Sequence, residues 1–174
     1  MRFVFIPLFI LLASFPSLAN MKLKLTPEIT LTLSQPNTIA HSLSSLLIRY
    51  DDGTMMHEHI DPERAFAPAI NLTGIAPLFF RSLFEPETMQ TLPDWLSALA
   101  KEQHAALGIT LPVDNFLCGD VHVYHFFSKS YNTGHLFMIS SNSVQRIEVT
   151  KDADLYQNLV NQLRTHHANC KRKT

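Results

Sequence analysis

The sequence predicts an α+β fold, and three observations carry this prediction. Apolar and polar residues alternate, as they do in half-buried strands, in two separate groups at residues 23–60 and 121–149. Helical patterns occupy residues 75–108 between these groups, and an amphipathic helix follows the second group. Because strands joined by tight turns pair antiparallel, we expect a single antiparallel sheet flanked by helices, with a helical insertion between its strand groups and a C-terminal amphipathic helix.

Residues 1–19 have the features of a cleaved signal peptide. A positive charge precedes an apolar run at residues 3–13, and Ser17 and Ala19 are the small residues that signal peptidase reads. The run is shorter than a typical transmembrane helix, and no later stretch approaches the length of one. An uncleaved membrane anchor is the alternative interpretation. We expect cleavage before Asn20 and a location in the periplasm or outside the cell.

Residues 20–174 are long enough to form one domain with a hydrophobic core. The full chain has a formal net charge of −1, which argues against nucleic acid as a partner, and the basic stretch at 171–173 is too short to change that. Five glycines and no low-complexity sequence predict an ordered chain. We therefore expect a single α+β domain with a short basic C-terminal tail.

The two cysteines, Cys118 and Cys170, are predicted to form a disulfide, because an exported protein matures in an oxidising compartment. The bond would join the C-terminal tail to the start of the second strand group. Closing a loop of that size stabilises a fold by about 4 kcal/mol in the chain-entropy model. Two free thiols are the alternative.

The first strand group begins with one or two half-buried strands around Pro27, where apolar residues alternate with lysines and threonines. A further pair of strands is predicted at residues 46–50 and 54–60. The turn between them, at residues 51–53, is typical of a tight hairpin. In that hairpin we expect Gly53 to adopt the positive φ that the turn requires.

The insertion contains two predicted helices. The first, at residues 75–84, is interrupted after Phe84 by a proline. The second begins at Pro93 and ends at Gly108, a residue type that suits the left-handed position after a helix.

The first of these helices is apolar over more of its circumference than a surface helix needs. Two outcomes follow. Either Phe80 and Phe84 stay exposed and form, with the loop at residues 85–92, a protein-binding patch, or the helix is sandwiched between the sheet and the second helix.

The second strand group has the clearest pattern. Strands are predicted at residues 121–127, 136–139 and 144–149, separated by turns rich in asparagine, glycine and serine. Asp152 is predicted to begin the terminal helix, whose apolar stripe includes Leu155 to Leu163.

A weak family pattern runs through residues 119–124 (Gly-Asp-Val-His-Val-Tyr), 134–140 (Gly-His-Leu-Phe-Met-Ile-Ser), 144–149 and 155–160. In these residues the C-terminal third resembles the second half of small Mog1/PsbP-like α+β proteins. The resemblance implies an antiparallel sheet flanked by helices, and many bacterial members of that family are exported. Because the family is mostly non-enzymatic, it also implies a binding or accessory role without naming a ligand.

His57 and His59 are the sharpest candidates for metal ligands. Two residues apart on a strand, their imidazoles lie on one face and would supply two of the ligands that zinc needs, with copper as the other candidate metal. His122, His125 or His135 would complete the set from a neighbouring strand. The alternative is chance, since the chain has nine histidines, and in that case no cofactor is expected.

Signals for catalysis are weaker. The chain has no Gly-x-Ser-x-Gly, Ser-x-x-Lys or His-Glu-x-x-His motif. Cys118 and His122 would lie about 13 Å apart on an extended strand, beyond hydrogen-bond distance. The acid pairs at residues 51–52 and 152/154 suit a turn and the first turn of a helix, so we expect no catalytic residues.

These observations predict an exported, non-enzymatic protein that binds another protein. An immunity protein, or an accessory protein of an envelope or secretion system, is one concrete form. The second hypothesis is a small periplasmic protein that binds a metal or ligand. The third is a hydrolase whose catalytic residues have no recognisable motif. The sequence does not predict the oligomeric state.

Overall fold

A computed structural model describes residues 20–66, 69–165 and 170–172, so the predicted signal peptide lies outside the described residues. Within them the fold is α+β, as predicted. The strands are β1 (Met21–Lys24), β2 (Thr30–Leu33), β3 (Thr38–His41), β4 (Ser45–Arg49), β5 (Thr54–His59), β6 (Asp114–Cys118), β7 (Val121–Ser128), β8 (Thr133–Ile139), β9 (Val144–Thr150) and β10 (Cys170–Arg172). The helices are α1 (Ala76–Ser82), α2 (Pro86–Gln90), α3 (Asp94–Ala106) and α4 (Ala153–Thr165). In this part of the chain no helix is both long and apolar enough to cross a membrane.

Eight of the strands form one antiparallel sheet in the order β10-β6-β7-β8-β9-β5-β4-β3. β5 pairs with β9, so that Thr54 lies opposite Thr150 and the two predicted strand groups join directly. Along the chain, α1 to α3 lie between the groups and α4 follows the second. The large antiparallel sheet and the order of its elements are thus confirmed.

The prediction of a single sheet is wrong, because β1 and β2 pair with each other in a separate two-stranded sheet. Leu31 and Leu33 of this hairpin are buried in the same core as residues of the large sheet, together with Ile29. Alternating apolar residues show that one face of a strand is buried, but they do not show which strand it pairs with. The β1–β2 hairpin buries its alternating apolar residues by packing against one face of the large sheet.

The large sheet is covered on both faces. On one face, β1, β2 and α4 enclose a core that includes Leu136, Met138 and Ile147. On the other face, α1 to α3 pack on Tyr124 and Phe137. Every residue of the central strand β8 is buried, whereas β3, at one end of the order, contributes no residue to either core. Hydrophobic burial therefore stabilises the middle of the sheet, whereas the edge strand β3 lies outside both cores.

Phe80 and Phe84 belong to the interior, which corrects the exposed patch predicted for them. Their side chains are 4 % and 5 % exposed. Phe84 stacks on Tyr124 with ring centroids 4.6 Å apart, and Phe80 stacks on Phe137 at 6.1 Å. The sheet below α1 and the neighbouring helices α2 and α3 cover most of the broad apolar surface of this helix, and Leu78 alone of its large apolar residues is exposed, at 40 %. Part of the predicted loop at 85–92 is α2.

Two glycines fit their positions for different reasons. Gly108 ends α3 with a φ of +65°, as predicted. Gly53 accepts a hydrogen bond from Tyr50 in the β4–β5 turn, which confirms the turn, but it does not adopt the positive φ that we expected. Instead, a Cβ at Gly53 would collide with Thr150 and Asp152, so the glycine allows the turn to approach the start of α4.

The predicted disulfide between Cys118 and Cys170 is confirmed. The two residues are cross-strand partners, with Cα atoms 4.0 Å apart, and the bond fixes β10 to β6 at one edge of the large sheet. Cys118 is fully buried. The basic stretch predicted as a tail therefore begins as a short edge strand.

Candidate functional site

The edge strand β3 is exposed along its whole length. It pairs with β4, and no described strand pairs with its outer side. All four of its residues are exposed. A sheet edge of this kind presents a row of backbone N–H and C=O groups that can pair with another extended chain. The geometry at this edge is therefore that of a strand-addition site.

Apolar side chains flank the edge on both faces of the sheet. Ile39 is 49 % exposed and lies opposite Ile48, whereas Leu47 is 43 % exposed and lies opposite Ala40 on the other face. Leu43, in the turn between β3 and β4, is fully exposed. Single exposed apolar residues are common, but three on one hairpin next to free backbone groups are typical of a contact surface.

The turn that carries Leu43 is held by local hydrogen bonds. The backbone N–H of Ser42 donates to the carbonyl of Ser45 at 2.8 Å, and the two serine hydroxyl oxygens lie 2.6 Å apart. The backbone N–H of His59 donates to the carbonyl of Ser44 at 2.8 Å, which ties the turn to the end of β5. The exposed leucine is thus presented on a fixed turn.

At the opposite end of β3 lies a cleft of about 450 Å³ with strong negative charge. Four aspartates line it, and no lysine or arginine does. The amide of Asn37, the residue before β3, donates to the carboxylate of Asp51 at 2.5 Å. The lining residues are Ser34, Gln35, Asn37, Tyr50, Asp51, Asp52, Asp152, Asp154, Leu155 and Asn158.

A second polar cluster joins the helices to the other face of the sheet. The Tyr124 hydroxyl donates to one oxygen of Glu85 at 2.5 Å, and Arg81 and Thr88 donate to the other at 2.9 and 2.7 Å. Burial alone would raise the pKa of Glu85, but these hydrogen bonds and the Arg81 charge outweigh it and lower the pKa to about 2.

The same cluster keeps Tyr124 uncharged, because burial, followed by its hydrogen bond to Glu85, raises the pKa of the hydroxyl. Neither Glu85 nor Tyr124 therefore exchanges a proton readily near neutral pH, which a general acid or base must do. The cluster instead anchors α1 and α2 to β7. A cleft of about 320 Å³ beside it is lined by Arg81, Asp120 and His122 among others.

His57 and His59 share a strand face, as predicted, but no third metal-binding side chain joins them in the described part of the chain. The His57 ring nitrogen lies 2.9 Å from the side-chain oxygen of Gln145, and burial lowers its pKa, whereas His59 is exposed. By strand register, His135 lies on the other face and His125 lies three strands away. Among residues 20–66, 69–165 and 170–172, no group of three metal-binding side chains forms. Zinc or copper at this pair stays a prediction.

The sulfur of Cys118 is used in the disulfide, so the pairing of this residue with His122 as nucleophile and base does not occur. The predicted acid pairs take the local roles expected of them. Asp51 and Asp52 lie in the β4–β5 turn, and Asp152 accepts a hydrogen bond from the backbone N–H of Leu155 at 2.8 Å at the start of α4.

Sequence reasoning missed the residues of the open edge, because β3 was not predicted. The available signal was the pair Thr38–Ile39, which favours a strand, followed by the serine-rich turn at 42–45. Four residues are too few for alternation to be distinguished from chance.

Fold and site together define the class: an α+β protein with a wide antiparallel sheet, covered on both faces and open at β3. Comparison of the chain with protein-family models, with curated proteins and with solved structures finds no match. The resemblance to Mog1/PsbP-like proteins stays a prediction.

Proposed function

We propose that this chain is an exported binding protein that takes up an extended segment of another protein along β3. The observation that carries the proposal is the outer side of β3, with its four exposed residues and its apolar neighbours. In strand addition, main-chain hydrogen bonds supply affinity and side-chain contacts supply specificity. Ile39 would contact the partner on one face of the extended sheet and Leu47 on the other.

Export is supported by the disulfide, since such bonds persist in oxidising compartments, and by the predicted signal peptide. A binding role without catalysis is supported by the Glu85–Tyr124 cluster, in which Glu85 stays ionised and Tyr124 stays protonated at neutral pH, so that neither group transfers a proton readily. An immunity protein, or an accessory protein of an envelope or secretion system, remains the concrete form that we propose.

The test is a substitution at the edge with a matched substitution elsewhere. Ile39→Lys places a charge beside the free backbone groups, a device by which proteins block edge pairing. Trp95→Lys makes the same kind of change at another exposed apolar residue, on α3. Binding of a short synthetic peptide in which threonine and valine alternate is measured by fluorescence anisotropy. Hydrogen exchange of the β3 amides is followed in parallel.

We expect the peptide to bind to the unmodified chain and to slow exchange of the β3 amides. Ile39→Lys should weaken binding at least about tenfold, and Trp95→Lys should leave it unchanged. Equal effects of both substitutions, or binding without protection of β3, would contradict the proposal. A chain that dimerises through β3 and becomes monomeric on Ile39→Lys would show that a second copy, not a partner protein, occupies the edge.

A further inference from the structure

The open edge leads directly into the acidic cleft. Asn37 lines the cleft and is followed by Thr38, the first residue of β3. Asp51 and Asp52 lie in the turn after β4, the strand that pairs with β3. A strand added outside β3 would lie about 4.8 Å from it, so that the end of the added strand beside Thr38 reaches the rim of the cleft.

The carboxylates of the cleft lack cationic partners in the described part of the chain. Asp51, Asp52, Asp152 and Asp154 form no ion pair there. Other acids do: Glu58 is paired with Arg146 at 2.9 Å. Two exposed cations lie nearby, Arg49 opposite Thr38 and Lys151 beside Asp152, so four aspartates against two basic residues leave this end of β3 negative. The sign of that net charge selects the partner's chemistry.

Resting on the proposed function, we infer that the segment taken up by β3 is a basic one. It pairs antiparallel with β3, as every strand of the sheet pairs with its neighbours, and carries lysine or arginine at its C-terminal end. That end lies opposite Thr38, because an antiparallel strand runs from His41 towards Thr38. The long side chain of the basic residue extends into the cleft and meets the aspartates.

The test uses three synthetic peptides with the same alternating threonine–valine core and blocked termini. One is neutral, one has two lysines at its C-terminal end, and one has them at its N-terminal end. At about 0.1 M salt we expect the peptide with C-terminal lysines to bind about tenfold more tightly than the neutral one. The preference should shrink towards 1 M salt, where the screening length falls from about 10 Å to about 3 Å.

A charge-removing double variant, Asp52→Asn with Asp154→Asn, tests the cleft itself. Both side chains are exposed, and the substitution keeps their shape. The matched control is Glu87→Gln with Glu102→Gln, which removes the same charge from exposed residues of α2 and α3. We expect the cleft variant to lose the preference for C-terminal lysines while binding the neutral peptide normally, and the control to keep it.

The outcomes separate this inference from the proposed function. One outcome is that the neutral peptide binds while lysines make no difference to affinity, and another is that N-terminal lysines are preferred over C-terminal ones. Either result would contradict the inference of a basic antiparallel segment and would leave strand addition at β3 intact. If the Glu87/Glu102 control also lost the preference for C-terminal lysines, the inference would be overturned, because the preference would then depend only on the net charge of the protein. If no peptide binds, both proposals fall.

Discussion

The two edges of the large sheet are built in opposite ways. At one edge, β10 has only three residues, carries a lysine between its end residues, and is fixed to β6 by a disulfide. At the other edge, β3 has no charged residue, no proline and no covalent attachment, and Ile39 and Leu47 flank it. Short length, positive charge and covering are the devices by which sheet edges avoid unwanted pairing.

The difference teaches that edge protection is applied selectively in this fold. β10 has the protective features although its exposed backbone is the shorter of the two. β3 is only one residue longer, but it has no charged residue and, in the described part of the chain, no covering element, although an apolar edge without charge is a hazard for aggregation. A protected edge and an unprotected one on the same sheet are expected when one of them serves for binding.

The largest expected effect comes from removing the protection of the β10 edge. Cys118→Ala with Cys170→Ala should lower the free energy of unfolding by about 4 kcal/mol, because the disulfide closes a loop with a sequence separation of 52. Urea unfolding without reductant measures the change, and the wild-type chain with reductant is the control.

Peptide binding at β3 should survive this substitution under conditions where the variant remains folded. The two edges lie at opposite ends of the strand order, with six strands between them. Loss of binding in a folded variant would break the comparison, since it would show that the edges are coupled.

A smaller loss of stability is expected when the pH is lowered and His135, on the central strand β8, becomes protonated. This loss tests whether the two edges of the sheet unfold as one unit. Burial, followed by the charge of Arg146, lowers its pKa to about 4. The nearest Glu148 oxygen lies 3.8 Å from the ring nitrogen, beyond hydrogen-bond distance. Since the unfolded state binds the proton more readily, the stability contributed by neutral His135 is present above about pH 6.5 and is lost as pH falls towards 4.

We expect wild-type stability to fall by about 2–3 kcal/mol across this window, and the His135→Gln variant to lose much less. Urea unfolding at several pH values provides the measurement, with exposed His41 changed to Gln as the control. The protection of the β3 and β10 amides against hydrogen exchange, taken relative to the intrinsic exchange rate at each pH, should then fall together. An equal pH dependence in the His135→Gln variant would assign the effect to other groups.

The smallest effect should be that of the open edge on stability. Ile39 is half-exposed and belongs to neither core, so Ile39→Lys should change the free energy of unfolding by no more than about 0.5 kcal/mol. Ile48, its buried cross-strand partner, provides the contrast: Ile48→Ala should lower stability by about 2–5 kcal/mol. A large loss for Ile39→Lys would mean that β3 is structural.

Local signals predicted the parts of the fold that are decided locally. The strands β7 to β9, the glycine after α3 and the aspartate before α4 all follow from patterns within a few residues. The disulfide followed from the number of cysteines and the predicted compartment. These features depend little on distant parts of the chain.

The features that sequence reasoning missed depend on distant partners. β3 and β10 are short, and their strand character comes from pairing with strands elsewhere in the chain. Likewise, the breadth of the apolar surface on α1 indicated that something covers Phe80 and Phe84, but not whether it was the chain itself. The open edge was missed for this reason: exposure of a strand depends on which strands lie beside it.

The pairing of β5 with β9 has a consequence for the order of folding. Thr54 meets Thr150 only after the whole helical insertion and three further strands have been made. Contacts between residues so far apart in sequence form slowly, because the intervening chain must first lose its conformational freedom. Synthesis from the N-terminus therefore leaves the first hairpins without their central neighbour until almost the entire chain has emerged. This topology therefore delays completion of the large sheet, and of the two cores that it separates, until late in synthesis.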